Sequence, residues 1–192
     1  PTVNLVILTG TSGVGKTLLA LASAIHQLDG RYQKIVVSRP VVSMGREVGF
    51  LPGTAESKIL PYLDSFKDNL IQLLNKRAGR RQRNGQELFD DYINSGQVEL
   101  QVLSLVRGRT IDNACIIIDE AQNMNLAEQK GLISRAGKNT TVVLCGDLDQ
   151  KDINDPGLGV VVERFQGYDL FGHVHLWRGE RSPLATLAAQ IL

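Results

Sequence analysis

Short apolar, β-branched runs alternate along this chain with segments that have the apolar spacing of helices. The run of residues 16–28 has no proline or glycine and predicts a helix. Short buried strands separated by helices favour a parallel sheet that is covered on both faces, so the pattern predicts a three-layer α/β fold. The apolar runs that predict strands are 3–8, 35–37, 98–103, 116–118, 141–144 and 174–176.

Two segments interrupt this alternation. Residues 40–61 contain six prolines and glycines and predict a long structured loop. Residues 76–85 contain five lysines and arginines followed by Asn84 and Gly85, and predict a basic turn or loop. Between them, a helix that buries one face is predicted by the helical spacing of Ile59, Leu63, Phe66, Leu70 and Leu73.

A further helix is marked by its two ends. Asn125 followed three residues later by Glu128 is a capping-box pattern, which predicts the start of a helix. Gly137 after Ala136 predicts its end.

The composition suits one globular domain, and we expect a single domain over residues 1–192. The 192 residues are 43% apolar, which is enough for one buried core. The net charge of +1 gives no general argument for binding nucleic acid or a membrane, so such a claim must rest on local clusters.

The two cysteines, together with the lack of a membrane-spanning run or a recognisable targeting peptide in the sequence, lead us to expect a cytoplasmic protein. Cys115 and Cys145 both lie in apolar runs, where free thiols behave as small buried hydrophobes. No apolar run approaches the roughly 20 residues that span a bilayer, and the first residues resemble neither a signal nor a transit peptide. The chain opens at Pro1 and enters its first strand almost at once, as an excised or minimal domain would.

The most specific chemical signal is the segment 10–17, between the first predicted strand and the first predicted helix. Its glycines allow the backbone N–H groups to face an anion, and the helix that follows directs its positive dipole end at the same place. Lys16 would reach the β- and γ-phosphates of a nucleotide, and the Thr17 hydroxyl would bind Mg²⁺. The predicted phosphate-binding residues are Gly10, Thr11, Ser12, Gly13, Val14, Gly15, Lys16 and Thr17.

Two carboxylates follow the isoleucine strand 116–118. Because ligands bind at the carboxyl ends of parallel strands, Asp119 and Glu120 should face the phosphate site. Asp119 would hold the Mg²⁺ shell, usually through water, and Glu120 would polarise a water for attack on the γ-phosphate.

Amide and acid side chains at neighbouring strand ends extend this site. Gln122 follows Glu120 by two residues, and Asp147 and Gln150 follow the strand 141–144. An amide beside the γ-phosphate can donate to the transferred group and accept from the attacking water. As isolated residues, these side chains could equally be turn formers at strand ends.

Several motifs together resemble known ATPases. The segments 119–122 and 146–150 resemble the first motor lobe of superfamily 1 helicases. Four further motifs are Ser-Arg-Pro-Val-Val at 38–42, Gly-Phe-Leu-Pro-Gly at 49–53, Val-Arg-Gly-Arg-Thr at 106–110 and Asp-Glu-Ala-Gln-Asn at 119–123. Together they resemble the PhoH family of ATPases more closely, and this resemblance covers the chain almost end to end. The tail 179–185 is similar to the variant in which a PIN nuclease domain, which would lie outside this chain, precedes the ATPase.

The resemblance implies a RecA-like P-loop domain that hydrolyses ATP with Mg²⁺. It also implies a homo-oligomer, often a ring, linked to RNA metabolism or phosphate starvation. Many relatives have Pro and Ala where this chain has Thr11 and Ser12. The glycines and Lys16 remain, so the phosphate contacts are unaffected.

The length of the chain also points to assembly. Two-lobed helicases complete the ATP site with arginines from a second lobe, and 192 residues leave no room for one. A neighbouring subunit would then supply the arginine, whose absence costs about 10³ to 10⁵ in rate. The candidates are Arg135 and Arg181, which match the family pattern, ahead of Arg178; each could also be an ordinary surface cation.

Basic residues on loops suggest contacts with single-stranded RNA. The two groups are Arg39, Arg46, Arg107 and Arg109, and the cluster 76–83. Either group could contact phosphates or remain solvated, and neither has enough interleaved aromatic residues to suggest base stacking. Arg107 and Arg109 could instead brace the nucleotide loop or an intersubunit contact.

Two other functions share the same binding residues. A P-loop phosphotransferase would pass the γ-phosphate to a small molecule or a polynucleotide end. A nucleotide-dependent scaffold would bind ATP and rarely turn it over. Gln122 and Gln150 favour water as the acceptor.

Overall fold

The computed structural model describes residues 3–28, 30–40, 55–78, 84–102, 110–149 and 157–177. Its centre is a sheet of six parallel strands in the order β3-β2-β4-β5-β1-β6. All carboxyl ends therefore lie at one edge. The strands are β1 (Leu5–Thr9), β2 (Lys34–Arg39), β3 (Val98–Val102), β4 (Ala114–Ile118), β5 (Thr141–Gly146) and β6 (Phe171–His175).

Helices cover both faces of the sheet, which confirms the predicted three-layer α/β fold. Helices α1, α2 and α3 pack on the face formed by Leu8, Val37 and Ile117, and α4 and α5 pack on the face formed by Ile7 and Ile116. The helices are α1 (Lys16–Gln27), α2 (Ala55–Ala78), α3 (Gly85–Asn94), α4 (Leu126–Ile133) and α5 (Gly157–Phe165), with a 3₁₀ turn at Ala121–Asn123.

The central strands are buried because they have helices on both sides. Every residue of β4 and β5 is buried. Neither strand therefore shows the alternation of buried and exposed residues that is typical of a sheet with one face in solvent. None of the helices in the described ranges is long and apolar enough to cross a membrane.

The predicted loop 40–61 was wrong in its last part. Helix α2 begins at Ala55. Residues 55–60 are Ala, Glu, Ser, Lys, Ile and Leu, and all the breakers except Pro61 come before them. The prolines and glycines therefore predict a loop only up to residue 53, and a helix starts soon after them. Residues 41–54 lie outside the described part of the chain.

Helix α3 was not predicted, although the sequence carries its signal. The Asn84 side chain accepts a hydrogen bond from the Glu87 backbone N–H (2.9 Å), and the Glu87 side chain accepts one from the Asn84 N–H. This capping box begins a helix that buries Phe89. Lys76 and Arg77 belong to the end of α2 instead of a turn, while residues 79–83 lie outside the described ranges.

Several element boundaries differ from the predictions. Helix α4 starts after Asn125 as predicted but ends at Ile133, because the chain turns at Ser134. Gly137 instead donates its N–H to the Ile111 carbonyl (2.9 Å). Strand β6 begins at Phe171, three residues before the predicted start, and α5 was not predicted.

Candidate functional site

The loop between β1 and α1 has the backbone conformation that its glycines permit. Gly13 (φ 78°) and Gly15 (φ 91°) both have left-handed backbone angles, which favour glycine. Gly15 caps α1, so the first backbone N–H groups of that helix face the space inside the loop. The geometry is that of an anion-binding loop.

Lys16 lies inside this loop. Its side chain is only 9% exposed, and Nζ donates hydrogen bonds to the carbonyls of Gly10 (2.6 Å) and Thr11 (2.9 Å). An ammonium has three donors, and these carbonyls take two of them. The loop thus positions the positive charge where a phosphate would need it.

Thr17 and Asp119 come together at the carboxyl edge of the sheet. The Thr17 hydroxyl donates to Asp119 Oδ1 (2.7 Å), and the Asp119 N–H donates to the Ser38 carbonyl at the end of β2 (3.0 Å). Burial raises the pKa of the Asp119 carboxyl, and the hydrogen bond from Thr17 opposes that effect. A hydroxyl and a carboxylate, both hard oxygen donors, fit a Mg²⁺ ion that also binds phosphate oxygens.

Glu120 is fixed at both carboxylate oxygens. Its Oε1 is 3.3 Å from Arg39 Nη2, and its Oε2 accepts a hydrogen bond from Gln122 Nε2 (2.6 Å). Its backbone is left-handed (φ 51°), which is unusual for a residue other than glycine. The carboxylate is oriented beside Asp119. Arg39, predicted as a loop cation, is the last residue of β2 and pairs with Glu120.

Gln122 connects the ends of β4 and β5. Its Oε1 accepts a hydrogen bond from the Asp147 N–H (3.1 Å), so the two ends of this amide join Glu120 to Asp147. Asp147 is 4% exposed; its Oδ1 accepts from the Asp149 N–H, and its Oδ2 has no hydrogen-bond partner among the described residues. Gln150 lies outside the described ranges.

A cavity of about 380 Å³ opens between the loop, the acids and α2. Ser65 and Asn69 of α2 line it, and sequence reasoning missed both. The available signal was weak: two polar residues four apart, each preceding a buried position, Phe66 and Leu70. The other lining residues are Ser12, Gly13, Gly15, Lys16, Thr17, Leu18, Asp119, Glu120 and Asp147.

Arg135 lies at the opposite edge of the sheet from this cavity. The Ile111 N–H, just before the start of β4, donates to the Arg135 carbonyl (3.0 Å), whereas Asp119 follows the other end of β4. The Arg135 Nε is buried with no partner among the described residues. The structure therefore does not bring Arg135 to the site of its own chain. Outside the described ranges lie Arg46, Arg107, Arg109, Arg178 and Arg181.

Comparison with known proteins decides the family. A family model described as "PhoH-like protein" matches residues 2–191. The chain belongs to the PhoH family. The PhoH family comprises ATP-binding P-loop proteins of the ATPase type, which agrees with the loop at 10–17.

Named relatives are similar across nearly the whole chain. Protein PhoH2 of Bacillus subtilis is 43% identical over 99% of this chain and 43% of that relative. Protein PhoH2 of Thermobispora bispora is 34% identical over 100% of the chain and 43% of that relative. A PhoH-like protein of Bacillus subtilis is 35% identical over 90% of the chain and 52% of that relative. The chain thus spans about half the length of these curated relatives or less.

Proposed function

We propose that this PhoH domain binds ATP with Mg²⁺ in the cavity beside residues 10–17 and hydrolyses it. The observation that carries the proposal is the 2.7 Å contact between Thr17 and Asp119. It joins the phosphate-binding loop to the acidic end of β4, with Glu120 and Lys16 lining the same cavity.

Each residue has a defined task in this proposal. Backbone N–H groups of the loop and the Lys16 ammonium bind the phosphates. Thr17 and Asp119 bind Mg²⁺, which neutralises charge on the phosphate oxygens. Glu120 accepts a proton from the attacking water, and Gln122 keeps its carboxylate in place.

The proposal extends to assembly. Because Arg135 lies at the sheet edge opposite the cavity, it would reach an ATP site only in a neighbouring subunit. A homo-oligomer, in the simplest case a ring, would allow Arg135 or Arg181 to stabilise the transferred phosphate in trans.

The partner we propose is single-stranded RNA, with ATP turnover coupled to RNA binding, remodelling or unwinding. Support comes from the basic segments noted in the sequence and from membership of the PhoH family. A PIN nuclease domain elsewhere in the full protein would fit the same role.

The test is ATP hydrolysis by matched variants. We expect Lys16→Ala to lose binding and turnover, and Glu120→Gln to bind ATP but lose turnover. The exposed Lys138→Ala and Glu163→Gln should behave as the native chain, since they remove the same charges elsewhere. Retained turnover in Glu120→Gln would refute the general-base assignment.

The fate of the γ-phosphate separates the alternatives. Hydrolysis predicts that labelled γ-phosphate appears as inorganic phosphate, at a specific activity that rises with protein concentration. Label on an organic acceptor would show a phosphotransferase. Tight ATP binding without turnover at any protein concentration, with or without RNA, would show a scaffold.

A further inference from the structure

The segment that leaves β6 lies directly against the start of the phosphate-binding loop. The Leu176 N–H donates to the Thr9 carbonyl (2.8 Å). A Cβ placed on Gly10 would lie 2.4 Å from the Leu176 carbonyl oxygen, so only glycine allows this approach. Residues 175–177 therefore border the loop on the side of β6.

This segment presents an aromatic pair. The rings of His175 and Trp177 are 4.0 Å apart between centroids and tilted by 60°. Trp177 is 85% exposed, whereas tryptophan side chains in folded domains are mostly buried. Buried Thr9 forms hydrogen bonds through Oγ1 with His175 Nδ1 (2.9 Å) and His173 Nε2 (2.8 Å). The exposed indole is thus supported by a histidine that is fixed to the last residue of β1.

The order of the strands sets the direction of a bound nucleotide. Asp119 and Glu120 follow β4, so the γ-phosphate lies toward β4 in the proposed site. The loop itself follows β1, and β6 is on the far side of β1 from β4. A triphosphate whose terminal phosphate lies toward β4 must leave the loop in the opposite direction, which carries the sugar and base toward β6.

We propose that Trp177, supported by His175, stacks on the base of the nucleotide whose phosphates bind at residues 10–17. This inference rests on the proposed ATP site. Every base has a π-face, so the stack stabilises binding of both adenine and guanine nucleotides and provides little selection between them.

Intrinsic fluorescence tests the stack directly, because Trp177 is the only tryptophan in the chain. Mg-ATP and Mg-GTP should quench its emission on binding, and Mg-tripolyphosphate, which has no base, should bind without comparable quenching. Calorimetric ATP binding without quenching would overturn the stack and leave the proposed function intact. Absence of ATP binding by calorimetry would overturn both.

Variants give a second, independent measurement. Trp177→Ala should weaken ATP binding by about 5- to 100-fold and leave tripolyphosphate affinity unchanged, and Trp177→Phe should remain near the native value. The control is Tyr168→Ala, which removes another exposed aromatic ring (67%) at the other end of β6. Equal weakening of both ligands, or no change for ATP, would overturn the assignment. Quenching by single-stranded RNA but not by ATP would also overturn it, in favour of a nucleic-acid contact.

Discussion

At the scale of single residues, the site is organised around the orientation of one carboxylate. Glu120 needs an unusual backbone angle to project beside Asp119, and both of its oxygens have partners, Arg39 and Gln122. Gln122 in turn accepts from the Asp147 N–H. In the proposed role of general base, a carboxylate held in this way would lose little entropy when its substrate binds.

Gln122→Ala should therefore lower kcat by about 10- to 100-fold with little change in KM, because Glu120 loses a partner while the phosphate contacts remain. Steady-state ATP hydrolysis measures this. Gln33→Ala, an exposed amide at the opposite sheet edge, is the control. Loss of ATP affinity with unchanged kcat would mean that Gln122 contributes to binding instead.

The buried thiols predict an effect of pH on stability. Burial raises the pKa of Cys115 from 9.0 to about 12 and also raises that of Cys145. A raised folded pKa contributes stability that is complete below pH 9 and is lost as pH rises toward 12, because only the unfolded thiols ionise in that interval.

We expect the free energy of unfolding to fall less steeply with pH above 9 in Cys115→Ala than in the native chain. Urea unfolding at several pH values gives both slopes. Identical slopes would show that the Cys115 thiol ionises normally in the folded protein.

Among the secondary-structure elements, capping motifs in the sequence determine where helices near the site begin. In α4, the Asn125 side chain accepts from the Glu128 N–H (2.8 Å), and the Glu128 side chain accepts from the Asn125 N–H (3.0 Å). This cap directly follows the 3₁₀ turn that contains Gln122. It fixes where the chain leaves the acidic end of β4.

Asn125→Ala should reduce the free energy of unfolding by about 1 kcal/mol, because the first turn of α4 loses its cap. Asn125→Asp is the control, since a carboxylate can accept the same hydrogen bond. Denaturant unfolding compares the two. An equal loss in both variants would indicate that the cap is not the cause.

The sequence was sufficient to predict a parallel sheet and to place the acids of β4 at the same edge as the loop 10–17. Continuous apolar runs such as 116–118 mark buried parallel strands, and the carboxyl-end rule then placed Asp119 beside Thr17. The positions of Ser65 and Asn69 could not be derived, because they depend on how α2 packs over the loop. Arg39 was misread for a similar reason: its pairing with Glu120 requires β2 to lie next to β4.

In the molecule as a whole, the proposed function gives different tasks to the two edges of the sheet. The carboxyl edge bears the proposed ATP site, and the opposite edge bears Arg135 beside Ile111. A single chain cannot bring these edges together. We therefore expect ATP hydrolysis to depend on contact between chains.

Mixing two inactive variants tests that expectation. Lys16→Ala has no functional phosphate site but keeps Arg135, and Arg135→Ala has the reverse defect. Each variant alone should hydrolyse ATP slowly. The mixture should regain part of the native turnover, because the intact phosphate sites of Arg135→Ala subunits receive Arg135 from neighbouring Lys16→Ala subunits. The same mixture with Arg181→Ala distinguishes the two candidates. No recovery with either variant would exclude both arginines as trans donors.

In the proposed function, residues 10–17 and the acids after β4 form one binding site for a triphosphate and its magnesium ion. Calorimetric titration of the native chain, Lys16→Ala and Lys138→Ala with Mg-ATP examines this site without requiring turnover. We expect saturable binding of one nucleotide per chain, lost in Lys16→Ala and retained in Lys138→Ala. Equal affinity of Lys16→Ala and the native chain, or no binding by the native chain, would refute the shared site.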